Sequence, residues 1–69
     1  MKTYKISTKK QNIVSSLAIK ASEIMHSIYG ENFNLKNYQT FLTNLYKTAR
    51  FAGKNWKYEC EEMILNLTR

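Results

Sequence analysis

The sequence predicts an all-α fold: a small three-helix bundle with a basic N-terminal arm. Three observations predict it. Proline is absent, glycine occurs only at positions 30 and 53, and apolar residues recur every three or four positions in each of the three segments those glycines delimit. The expected organisation is an arm over residues 1–7 and a single three-helix domain over residues 8–69. At 43% hydrophobic and 13% aromatic the chain is too apolar for a disordered tail. A domain of this size buries only about 60% of its unfolded surface, so support from a partner or a second copy would suit it.

The arm, MKTYKIS, alternates loosely through Tyr4 and Ile6, but no other segment offers a strand to pair with it. Thr8 and Gln11 then have the spacing of a capping box, in which each side chain satisfies a backbone N–H near the other. Ile13, Leu17, Ala21, Ile24 and Ile28, widened by Val14, Ala18 and Met25, form the apolar stripe of a first helix of about five turns. Gly30 stands where a helix ends in a conformation that favours a residue without a β-carbon.

Asn34 is the expected N-cap of the second helix, with Phe33 stapled to Tyr38. Leu35, Tyr38, Phe41, Leu42, Leu45, Ala49 and Ala52 line its apolar face. Lys36, Gln39, Thr40, Thr43, Lys47 and Arg50 collect opposite, with Lys54 just beyond. Gly53 ends this helix and Asn55 is the expected cap of the third. There Trp56, Cys60, Met63, Ile64 and Leu67 face inward, and Glu59, Glu61 and Glu62 suit the positive end of the helix dipole.

Charge is unevenly distributed. The formal net charge is +6, yet residues 1–22 hold five lysines and no acid, and residues 32–58 hold five cations and no acid. Residues 46–58, YKTARFAGKNWKY, interleave Tyr46, Phe51, Trp56 and Tyr58 with Lys47, Arg50, Lys54 and Lys57. Cations among flat rings suit phosphates and stacked bases. They equally suit a helix corner that buries rings and keeps its charges in water. A solvated helix face usually mixes signs, because Glu–Lys pairs four apart are mildly stabilising; the second helix contains no acid.

Sequence-specific reading through a helix-turn-helix at Gly53 is not expected. Ala49 fits the small position before the turn, but Glu59 and Glu62 occupy positions that should be apolar, and glutamates on a reading helix repel phosphate. No catalytic constellation is expected either. His26 is the sole histidine and falls on the polar side of the first helix, Cys60 is the sole cysteine and lies on an apolar stripe, and no phosphate loop or metal-ligand spacing occurs. The expectation is a non-enzymatic protein without cofactor, metal or small-molecule substrate. No apolar run exceeds three residues, so no membrane partner is expected. The acid-free first 22 residues bear a faint likeness to a transit peptide, but they lack arginine and their stripe continues into the domain. The lone cysteine fits a reducing, cytoplasmic location. Lys, Asn, Ile and Tyr make up 27 of 69 residues, a composition in keeping with an AT-rich phage or mobile-element genome.

Two functions compete. The first is a nucleic-acid-associated accessory or regulatory protein using Lys36, Lys47, Arg50 and Lys54, helped by Lys9 and Lys10 and, in the arm, Lys2 and Lys5. The second is an inhibitor or adaptor that docks on a protein, acidic in character, through Phe51, Trp56, Tyr58 and Leu65. Phe51, Tyr58, Leu65 and Ile19 all lie off the apolar stripes, as residues of a docking patch or of a homo-oligomer contact would.

Overall fold

The computed structural model describes residues 5–69, so Lys2 and the first four positions of the expected arm lie outside the described residues. Three helices follow in order: α1 (Thr8–Tyr29), α2 (Leu35–Phe51) and α3 (Trp56–Asn66). They are joined by 3-10 turns at Gly30–Asn32 and Gly53–Asn55, and no strand occurs among the described residues. The all-α three-helix bundle expected from the sequence is the architecture observed.

Local chemistry sets the helix ends. Ser7, in extended conformation, caps α1: its side chain accepts from the Lys10 N–H at 3.3 Å and its carbonyl from the Gln11 N–H at 2.8 Å. The expected Thr8–Gln11 capping box does not form. The Gln11 amide instead donates to the Tyr46 hydroxyl at 2.7 Å and to Ser15 Oγ at 3.3 Å, bonds that a half-buried amide makes in preference to a solvated one. Gly30 ends α1 at φ 52° with its N–H on the His26 carbonyl, and Gly53 turns the second corner at φ 69°. Both lie in the left-handed region, which L side chains enter only with strain. Asn34 caps α2 as expected, its Oδ1 accepting from the N–H groups of Lys36 and Asn37 at 2.8 and 3.2 Å. Phe33 meets Tyr38 with ring centroids 6.0 Å apart, which realises the staple. Asn55 occupies the N-cap position of α3 but makes no side-chain capping bond.

α1 and α2 run antiparallel. Side chains tie Lys10 to Ala49, Gln11 to Tyr46 and Tyr38 to Ala18 along their length. The core is Val14, Leu45, Ala49 and Cys60, with Ile6, Leu17, Phe41, Leu42, Trp56 and Met63 among the side chains packed around it. Ala21, Met25 and Ile64 extend the buried set. The line in α1 that points inward is therefore 14–18–21–25, the flank of the expected stripe. Ile6 packs against this core, so the residues just before α1 lie against the domain.

Two residues assigned to apolar stripes are exposed: Ile28 (49%) and Leu35 (60%). The reason is length. α1 has 22 residues and α3 only 11, roughly 33 Å against 16 Å at 1.5 Å per residue. The last turn of α1 and the first of α2, which share one end of the bundle, extend past what α3 covers. Ile19, Phe51, Tyr58 and Leu65, expected off the stripes, are indeed exposed.

Candidate functional site

Most of the cations expected to meet phosphate lie toward one end of the bundle, and one lies at the other. Because α1 and α2 are antiparallel, the start of α1 lies beside the end of α2. Lys5, Ile6, Ser7, Lys10 and Arg50 line one hollow of about 240 Å³ there. Lys9 is in the first turn of α1, Lys47 and Arg50 are in the last turns of α2, and Lys54 is in the turn that follows. All belong to this end of the bundle. Lys36 is in the first turn of α2, 11 residues before Lys47, or about 16 Å along the axis. It projects from the same helix at the other end.

Lys5, Lys9, Lys36, Lys47, Arg50 and Lys54 are all exposed. The one ion pair among the described residues is Arg69 to Glu62, at 4.0 Å, and involves none of them. The Arg50 guanidinium lies 5.3 Å from the Phe51 ring centroid, a cation–π arrangement that leaves its edge donors available.

The structure places Lys10 differently from its neighbours. Its Nζ donates to the Ala49 carbonyl at 2.9 Å, one of the last carbonyls of α2, and sits 5.2 Å from the centroid of the Trp56 ring. Its charge offsets the negative end of the α2 dipole. Lys10 is a joint between α1, α2 and α3, committed to the fold rather than turned to solvent. Spacing along the chain carries no trace of this bond, which spans 39 residues.

The aromatic candidates also separate. Trp56 is half-buried and packs on the core, whereas Phe51 and Tyr58 are 64% and 62% exposed. Phe51 lines a hollow with Lys47, Thr48, Ala52, Asn55 and Glu59. Leu65 lines another, between α1 and α3. The four residues do not share one hollow. Tyr58 donates to Glu62 Oε1 at 3.2 Å, and the negative charge of that carboxylate raises the phenol's pKa above its ordinary value.

His26 and Cys60, the two residues weighed for catalysis, lie in different settings. His26 stacks on Phe33, with ring centroids 3.8 Å apart and planes 15° from parallel, an arrangement not evident from sequence because Phe33 lies across the turn. Cys60 is buried, its thiol directed to the Leu45 carbonyl at 3.7 Å, and burial pushes its pKa up, partly countered by Lys10. A thiol so placed is a poor nucleophile. Among the described residues no group of three or more His, Cys, Asp or Glu side chains is arranged to hold a metal, and no helix is long and apolar enough to cross a membrane. No protein-family model matches the chain, and no curated protein or solved structure is significantly similar to it.

Proposed function

We propose that the protein is a non-enzymatic binding module for nucleic acid, holding the phosphate backbone on Lys5, Lys9, Lys47, Arg50 and Lys54, with Lys36 as a distant contact. One observation carries the reading: cations stand where the fold's own electrostatics do not call for them. Positive charge is favourable at the C-terminal end of a helix and unfavourable at its N-terminal end. Arg50, in the last turn of α2, therefore has a structural account. Lys9 and Lys36 stand in the first turns of α1 and α2, where neither helix has an acid, and neither forms an ion pair among the described residues. An external polyanion gives them a reason to be there. Base-specific recognition is not part of the proposal, because α3, the helix after the Gly53 corner, carries the glutamates. Phosphate contacts position a protein without reading sequence.

The test is a salt titration of binding to fluorescently labelled single- and double-stranded oligonucleotides. With four to six phosphate contacts the log–log slope should be roughly −4 to −5 on the duplex and roughly −3 to −4 on the single strand. Lys47→Glu combined with Arg50→Glu should abolish binding while circular dichroism stays unchanged; undiminished binding by the folded double variant refutes the proposal. The alternative, an inhibitor or adaptor docking on a protein through Phe51 and Tyr58, is favoured by the exposure of those two rings. It predicts binding that survives nuclease treatment and the charge reversals.

A further inference from the structure

The groove between α1 and α3 is unrelated to the basic end. It is lined by Leu17, Lys20 and Ile24 from α1 and by Glu61, Ile64, Leu65 and Thr68 from α3 and the turn after it, and it encloses about 450 Å³. Its floor and lip are apolar: Ile64 is buried, Leu17 and Ile24 are half-buried, and Leu65 stands 54% exposed. Its two charged residues oppose one another, Lys20 on the α1 wall and Glu61 on the α3 wall. Both are exposed, and they form no ion pair with each other.

We propose that this groove is the contact face of a two-fold symmetric dimer. In such a contact each surface meets its own copy, so residue i touches residue j of the partner and j touches i. A self-complementary face must therefore carry both signs, placed so that the two-fold exchanges them. Lys20 and Glu61 satisfy that requirement: each lysine meets the other copy's glutamate, giving two pairs per dimer. The Leu65 side chain of each copy enters the apolar groove of the other. Charge also selects this face. Two copies of a chain with a net charge of +6 repel one another, whereas the groove's own lining charges cancel, so the copies can approach here without bringing their basic ends together. A surface of a few apolar side chains with a polar rim makes a small interface, of the class that associates weakly, so micromolar dissociation is expected.

The test is sedimentation equilibrium of nuclease-treated protein over a wide concentration range. The wild type should pass from 8.2 kDa to twice that mass as concentration rises. Lys20→Glu alone and Glu61→Lys alone each place like charges against one another and should weaken association by at least roughly tenfold. Mixing the two single variants should restore it, because in the mixed dimer every cross-copy contact again joins opposite charges. A wild type that stays at 8.2 kDa throughout overturns the proposal and leaves the groove to another occupant. So does a mixture no more associated than its components, since attraction between Lys20 and Glu61 within one chain gains nothing from mixing. Circular dichroism of each variant verifies that the exposed substitutions leave the helices intact.

Discussion

Replacing Lys10 with methionine keeps most of the side-chain stem and removes the charge, which isolates what the ammonium contributes. It donates to the Ala49 carbonyl at 2.9 Å in a half-buried setting, and a hydrogen bond from a charged donor is worth about 1.5–3 kcal/mol. The Trp56 ring 5.2 Å away adds about 0.5–1 kcal/mol. Against this, Lys10 stands in the first turn of α1, so losing its charge recovers a few tenths of a kcal/mol from that dipole. Taking the lower end of each range, as suits a group that is only half-buried, the net loss is about 2 kcal/mol. For a domain of this length, at about 4–8 °C per kcal/mol, the melting temperature should fall by about 8–16 °C. Urea unfolding followed by Trp56 fluorescence measures the free-energy loss, and thermal unfolding followed by far-ultraviolet circular dichroism measures the melting temperature. Lys9→Met is the control: Lys9 is exposed, and its loss should change stability by no more than about 0.5 kcal/mol. The two variants should also diverge in function, with Lys9→Met weakening nucleic-acid binding and folded Lys10→Met binding nearly as the wild type does. Equal stability of the two variants would refute the assignment of Lys10 as an internal joint.

Cys60 should make the fold sensitive to alkali. Burial raises its pKa, so its contribution to stability is complete at neutral pH and is lost as pH rises, once the unfolded chain ionises above about pH 8.5 while the folded thiol stays protonated. The urea midpoint should fall between about pH 7 and pH 9.5 by more in the wild type than in Cys60→Ala, and iodoacetamide should react with the native protein far more slowly than with the unfolded one. Phe51→Ser combined with Leu65→Ser should leave the helices intact, because those side chains are 64% and 54% exposed; unfolding of that variant, read by circular dichroism, would show that at least one of them is needed by the core.

The elements that local rules govern were legible in the sequence. Gly30, Asn34 and Gly53 mark helix ends through backbone conformation and a side-chain cap, effects confined to a few neighbouring residues, and each does what its local chemistry implies. The exposure of Phe51, Tyr58 and Leu65 followed from helical periodicity alone. What escaped depends on the lengths and approach of whole helices. Ile28 and Leu35 fit their stripes but extend past the short α3. Lys10 and Gln11 read as a surface cation and a capping residue until a second helix brings Ala49 and Tyr46 beside them. For the candidate site, the charges were visible one by one. That Lys5 and Arg50 share a hollow while Lys36 stands alone required the antiparallel pairing of α1 with α2.

The three ties between α1 and α2 also determine which of several similar packings the chain adopts. Two amphipathic helices with small core residues such as Ala21 and Ala49 can slide past one another by a turn and still bury comparable apolar area, since the hydrophobic effect is non-directional and follows the area removed from water. Lys10 with Ala49, Gln11 with Tyr46 and Ala18 with Tyr38 form a graduated scale along the pair. A slip of one turn, about 5.4 Å, breaks all three at once and leaves half-buried donors and acceptors without partners. Polar bonds that add only modestly to the depth of the native minimum thus remove its nearest competitors, and that gives a small core one alignment instead of a family of them.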